Sequence, residues 1–399
     1  MAPRQSQVGY NLTQTEMHQP FRRTSFTWLA YFLLAFYGYF LNILGPITPF
    51  LKDELQLTYT ISSLHFTAFA VGMLIVGLFG HGLVQRLGRW RSFWLGAAGL
   101  SLGGLLLIAG RTPLVTIGAA FCMGVIGSLI LPIVASALSD EHGEQRAVAY
   151  SEANVVASLI SAAAPLLVGF FARSAGSWRL ALGLPALAPL LLFLGFRKAR
   201  PPAPASSRPD LASGRNSLPG LFWLLWVALV LGVAVEFCMI SWSADYLENV
   251  LGMPQVAAAQ SVSLFLAGMI VGRLAASRLV QRFAPRRVVS ASVLLAGAGF
   301  LVYWLTTSIP LGLGGLFVTG LGVASLYPLI LALALGAARG ETVQASARTT
   351  LASGAAILAL PLVLGRLADA ITIRPAYAVV ALLLIGVLAI VQLAEKLSG

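Results

Sequence analysis

Twelve runs of mostly apolar residues, each about the length of a membrane-crossing helix, dominate this 399-residue chain. A helix rises about 1.5 Å per residue, so about 20 apolar residues cover a hydrocarbon layer of about 30 Å. The runs read as spans at roughly 26–50, 60–83, 92–110, 113–138, 147–172, 178–196, 220–245, 256–280, 288–306, 310–336, 343–369 and 375–395. Composition agrees: 58% of residues are apolar and 10% charged, against about 25% charged in an ordinary globular domain. A soluble chain so poor in charge could not cover its own surface, which excludes a soluble enzyme and a disordered chain. The net charge of +12 does not point to nucleic acid, because the basic residues fall in short connectors between the runs.

Residues 1–25 are polar and lack the short apolar stretch and small-residue cleavage site of a signal peptide, so they read as a cytoplasmic tail. Most connectors are very short. The exception, 197–219, is rich in Pro, Ser and Arg, cannot form a packed core, and reads as a cytoplasmic linker. It separates a six-span unit at 26–196 from a second at 220–395, followed by a short tail at 396–399. Lys and Arg concentrate on the cytoplasmic side of membrane proteins. With both termini inside, 18 of the 26 basic residues fall there; Lys52, Arg111, Arg173, Arg179 and Arg374 fall outside, and Arg273, Arg348 and Arg366 lie within spans.

Shifting the chain by 196 residues aligns its halves without a gap. Leu83-Val84-Gln85-Arg86 meets Leu279-Val280-Gln281-Arg282. Phe69, Gly72 and Met73 meet Phe265, Gly268 and Met269; Phe121, Gly124 and Pro132 meet Phe317, Gly320 and Pro328; Pro165 and Gly169 meet Pro361 and Gly365. Leu and Ala matches alone arise by chance in so biased a chain, but Pro, Gly, Gln and Arg in one register do not. The halves read as two copies of one six-helix bundle in the same orientation, an architecture built for transport around a central site. The matched prolines imply bends repeated in both copies.

The six-plus-six layout, the central linker and the loop after span 2 resemble the major facilitator superfamily from about residue 26 to 395. The family's loop motif is approximately G-x-L-x-D-R-x-G-R-R. This chain reads His81-Gly82-Leu83-Val84-Gln85-Arg86-Leu87-Gly88-Arg89-Trp90-Arg91, matching at Leu83, Arg86, Gly88 and Arg89 and departing at His81 and Gln85. The Arg-x-x-x-Gly of drug exporters is absent from span 4, and the sugar-porter signature Pro-Glu-Ser-Pro-Arg is absent after span 6. The resemblance implies an all-α fold of twelve transmembrane helices in two bundles, working by alternating access.

Charged groups inside a bilayer are expensive and mark function. Glu236, in the middle of span 7, has no charged residue within one turn, and its repeat partner is Phe40. A carboxyl group so placed suits the carriage of a proton. Alternatively it is a hydrogen-bonded structural Glu or grips a cationic solute. By the resemblance, helices 1, 4, 7 and 10 line a central cavity, which makes Tyr37, Asn42, Ser128, Trp242 and Tyr327 candidate solute contacts. Asn154 and Ser158 in span 5 either face the same cavity or bond across helices. His65 in span 2 can shuttle protons or serve as a structural donor. No Lys or Arg lies mid-depth in helices 1, 4, 7 or 10, which favours a neutral or cationic solute over an anionic one.

A cytoplasmic gate is expected as well. Glu152 in span 5 and Arg348 in span 11 occupy matched positions. By the resemblance, Glu152 can meet Arg278 or Arg282, and Arg348 can meet Gln85 or His81, with Arg86 beside them. Such pairs form and break as that side closes and opens.

The expected function is secondary active transport of a small neutral or cationic organic solute, proton-coupled through Glu236. The alternative is export of amphipathic drugs or lipid, with Glu236 recognising a cation. Nothing in the chain demands a metal, a cofactor or an oligomer; Cys122 and Cys238 sit singly inside apolar runs, and the four His form no cluster. The expected partners are solute, proton and membrane lipid, and the expected setting is a monomer in a bacterial inner membrane with both termini cytoplasmic.

Overall fold

With no water in the hydrocarbon layer, every backbone N–H and C=O must find a partner within the protein, and an apolar run meets that demand as a helix. The computed structural model describes residues 21–202, 218–338 and 342–397, and the described residues are helical almost throughout, with no strand. In chain order the crossings are α1 (Ser25–Leu55), α2 (Tyr59–Leu87), α3 (Arg89–Ala109), α4 (113–142), α5 (Arg146–Ser174), α6 (Leu180–Phe196), α7 (Gly220–Asn249), α8 (Gln255–Leu279), α9 (Pro285–Leu305), α10 (Ile309–Ala337), α11 (Thr342–Ile371) and α12 (Ile373–Lys396). The apolar stretch Pro113–Ser174 is one segment by composition. It divides into α4 and α5 at Gly143, whose φ of 53° lies in the left-handed region that a side chain resists. Residues 25 and 396 lie on one face of the membrane, called here the terminal face; the other is the far face.

The expected spans all appear, most of them a few residues longer than the apolar run. Polar side chains extend the ends. Thr24 caps α1 by accepting from the Thr27 amide at 3.1 Å, and Thr58 caps α2 by accepting from Ile61 at 3.2 Å. Most of the linker expected at 197–219 lies outside the described residues.

The buried side chains fall into two main cores, one drawn almost wholly from residues 26–199 and one from residues 228–391. Each is the interior of one six-helix bundle. The repeat is visible in how those interiors pack. A methyl group at Gly124 would collide with the Phe69 carbonyl, and one at Gly320 with the Phe265 carbonyl, so α4 crosses α2 and α10 crosses α8 at the same close contact. The matched prolines act alike too. A proline ring displaces the carbonyl four residues earlier. Before Pro132, α4 loosens into a π-helical turn at Met123–Gly127; before Pro328, α10 breaks between Val323 and Leu326.

Candidate functional site

The two bundles meet most tightly at the far face. Lys52 Nζ at the end of α1 lies 2.5 Å from Asp245 Oδ1 at the end of α7. Asp245 is fully buried, and the ammonium also sits 3.7 Å from the centre of the Tyr59 ring. Glu248 lies within electrostatic reach of Lys52, Asp53 and Asp245, and Gln255 Nε2 donates to Asp53 at 2.6 Å. Across α2 and α11, both carboxylate oxygens of Asp369 accept backbone N–H groups, from Tyr59 and Thr60, at 2.8 Å each. These are the first amides of α2, where orphan donors and the helix dipole favour an anion. Deeper in, Ser63 and Thr67 of α2 donate to the Pro361 and Leu358 carbonyls of α11 at 3.2 and 3.1 Å. Pro361 lies inside the continuous helix α11, and the Leu358 and Pro361 carbonyls take side-chain partners from outside it.

Asp369 offers a direct measure of one of these contacts. Asp369→Ala should remove about 1 kcal/mol from the far-face closure, the usual worth of an exposed helix cap with its dipole term. That is roughly a fivefold shift in the balance of conformations, read by fluorescence transfer between dyes on the two far-face rims. An unchanged distribution would show that the contact adds nothing to closure.

Trp242 seals the same face. It is fully buried, packs against Tyr59 and Phe66 of α2 at 5.5 and 6.3 Å between ring centres, and donates from Nε1 to the Pro361 carbonyl at 3.1 Å. On the terminal face, Gln85, Arg86, Arg278, Arg282 and Arg348 are exposed. The molecule is therefore closed at the far face.

Below the seal, a cavity of about 240 Å³ lies between the bundles, bounded by α1, α4 and α5 on one side and α7 and α8 on the other. Tyr37, Asn42, Asn154, Ser158, Ser161, Glu236 and Arg273 line it. Asn42 and Asn154 spend an amide N–H each on their own helices, donating to the Gly38 and Tyr150 carbonyls at 2.8 Å. The Asn154 side chain is also within hydrogen-bond reach of the Tyr150 hydroxyl. Arg273 reaches in from α8, donates from Nη1 to Ser158 Oγ at 2.9 Å, and so bridges the bundles. Its Nη2 stands 3.9 Å from Glu236 Oε1, an ion pair too long for a hydrogen bond. A larger hollow of about 380 Å³ lies within the second bundle, near Pro219, Arg286 and Gly336. It is away from the interface between the bundles.

The structure thus brings Tyr37, Asn42, Asn154 and Glu236 together on the wall of one cavity. Ser128 lies one layer behind, buried and 3.4 Å from the Tyr37 hydroxyl. Trp242 sits in the seal and Tyr327 is partly exposed, within electrostatic reach of Glu236 and Tyr150; neither lines the cavity. Glu152 is held within its own bundle by Arg23, through two bonds of 2.6 and 2.7 Å, and by the Tyr31 hydroxyl at 3.2 Å. Among the described residues, Glu152 forms its ion pair with Arg23 and none with Arg278 or Arg282. The His81 side chain lies outside the described residues. Arg89 of the loop motif pairs with Asp140 at the end of α4, at 2.6 Å. His65 is a structural group, bonded to the Ser62 carbonyl at 3.1 Å and the Thr116 hydroxyl at 2.8 Å.

The residues not anticipated as functional are Lys52, Asp245, Asp369 and Arg273. Lys52 carried one signal, as one of the few cations on the far side. Arg273 carried another, as a cation within a span. α8 supplies, through Arg273, a cation at the cavity that α1, α4, α7 and α10 lack.

Comparison with known proteins agrees with this architecture. The family model of the Major Facilitator Superfamily matches residues 27–282 and 255–397. A glucose/galactose transporter of Brucella abortus is 28% identical over 391 residues, 92% of this chain and 92% of its own. The transporter y4wD of Sinorhizobium fredii is 33% identical over 172 residues, which is 43% of this chain and 45% of that relative's length. Among solved structures, a bacterial homologue of the human lysosomal transporter Spinster, in an inward-facing, occupied conformation, superposes with a TM-score of 0.79 at 15% identity, over 93% of this chain and 96% of that one. With two helical bundles, a cavity between them and this family match over nearly its whole length, the chain belongs to the Major Facilitator Superfamily and is an integral-membrane transporter, not an enzyme.

Proposed function

We propose that the chain moves a small, hydroxyl-bearing organic solute by alternating access and couples that movement to protons through Glu236. The observation that carries the reading is the placement of Glu236 on the wall of the cavity where the two bundles meet. A carboxyl group there loses or gains its charge as the cavity faces one solution or the other. The side-chain amides of Asn42 and Asn154 on the cavity wall suit hydrogen bonding to solute hydroxyls, in keeping with a relative named for glucose and galactose. The Arg273 guanidinium beside Glu236 already supplies a counter-charge, which weighs against recognition of cationic drugs.

Both termini are placed in the cytoplasm, by the excess of Lys and Arg on that side, in a bacterial inner membrane; the conformation described is then inward-facing. α5 already packs on α8 and α2 on α11 towards the far face; closure of the terminal face would bring their terminal ends together. Glu152 would exchange Arg23 for Arg278 or Arg282, and Arg348 would approach Gln85. The working unit is a monomer with lipid around it, organised as residues 26–196 and 220–395 about the linker.

The test uses proteoliposomes under an imposed proton gradient. Glu236→Gln should abolish gradient-driven accumulation, at least tenfold, while exchange of labelled for unlabelled solute continues. Equal loss of both would assign Glu236 to solute binding alone.

A further inference from the structure

The cavity holds one cation and one carboxylate, and they do not satisfy each other. Arg273 presents a planar fork of donors, of which Nη1 is used by Ser158 and Nη2 reaches Glu236 only at 3.9 Å. Both line the cavity, the Arg273 side chain 40% exposed and that of Glu236 17%. A guanidinium with open donors in a partly enclosed site matches the two oxygens of a carboxylate. Around it, the side-chain amides of Asn42 and Asn154 and the phenols of Tyr37 and Tyr150 line the cavity, and such groups bond hydroxyls. Building on the reading of this cavity as the solute site, we propose that the solute is a hydroxyl-rich organic acid, whose carboxylate binds Arg273 when Glu236 holds a proton.

Charge balance explains why the two ligands would travel together. The empty cavity contains ionised Glu236 and Arg273 and is neutral. The loaded cavity contains protonated Glu236, Arg273 and the solute carboxylate, and is neutral again. With the acid alone it carries one negative charge, and with the proton alone one positive charge. Either leaves an uncompensated ion between two apolar bundles as they close on it. Only the empty and the fully loaded forms cross without that penalty, so the solute and one proton move in a fixed ratio. The other titratable groups facing Glu236 are the phenols of Tyr37 on α1, Tyr150 on α5 and Tyr327 on α10. No other carboxylate and no histidine lines the cavity among the described residues.

The experiment measures ligand stabilisation of the purified full-length protein by D-gluconate, D-glucuronate, D-glucose and D-galactose at about pH 5.5 and 7.5, with uptake of the same four compounds into proteoliposomes. Wild type should bind at least one acid, tenfold more tightly at the lower pH. Arg273→Gln should lose that binding by tenfold or more, and Arg273→Lys should recover part of it. Glu236→Gln should bind the acid equally at both pH values. A neutral hexose that stabilises wild type and Arg273→Gln alike, with no response to either acid, would overturn the organic-acid assignment while leaving proton-coupled transport intact. Gradient-driven uptake of acid that survives in Glu236→Gln would overturn the proton reading and spare the assignment of Arg273.

Discussion

Replacing Lys52 with alanine should open the far face of the transporter. Lys52 pairs with the buried Asp245, 2.5 Å away, and acts on Glu248, which Asp53 and Asp245 also reach electrostatically. Removing one partner of a buried ion pair costs about 3–5 kcal/mol, because the remaining charge stays desolvated. Opening the far face lets water reach that charge and relieves the cost. At 1.4 kcal/mol per tenfold, even the lower figure shifts the conformational equilibrium on the order of 100-fold. Lys52→Ala should act more strongly than Asp245→Asn, since it leaves a cluster of carboxylates unopposed. Lys52→Met combined with Asp245→Leu should restore much of the closure, because an apolar pair carries no desolvation cost. Spin labels at positions 175 and 307, both exposed on the far rim and one on each bundle, read the outcome in a background lacking Cys122 and Cys238. A distance distribution identical in Lys52→Ala and wild type would eliminate the pair as a latch.

Trp242→Ala should weaken the same closure by a different route. Truncating a buried aromatic to alanine costs about 3–5 kcal/mol through lost packing and the void it leaves. Tyr59 and Phe66, which pack against the indole, belong to the opposite bundle. Their share of the cost falls on the far-closed conformation alone. Loss of the indole N–H matters less, because the Pro361 carbonyl also accepts from Ser63. Trp242→Phe should therefore stay near wild type while Trp242→Ala opens the face. A cysteine at position 63, buried between α2 and α11, reports the difference through its rate of labelling by a membrane-impermeant maleimide added at the far face of sealed vesicles. The rate should rise at least tenfold in Trp242→Ala. An unchanged rate would mean that the ring only packs.

These two effects show why the far-face gate escaped sequence reasoning while the cavity carboxylate did not. Glu236 is legible in a linear chain because its cost is local: a charge in an apolar run is anomalous whatever surrounds it. Asp245 lies near the end of its span, where a charge is ordinary, and its partner is 193 residues away. Nothing in either neighbourhood names the other. Trp242 reads equally well as a solute contact or a packing residue, and only the placement of α2 and α11 assigns it to the seal. Arg273 was visible as a charge within a span, but its bearing on the solute depends on which face of α8 meets the cavity.

The helices and their two-fold repetition follow from the pattern along the chain. Backbone hydrogen bonding in lipid leaves an apolar run of about 20 residues no other form, and glycine and proline in one register mark the same close crossings and bends twice. The same pattern singles out Glu236. Which face is closed, which charges hold it, and that a cation stands beside Glu236 emerge from the packing of the two bundles. Those facts depend on how two bundles of nearly neutral, mutually compatible surface come to rest against each other. That balance is set by a few polar contacts far apart in the chain, not by the pattern along any one helix.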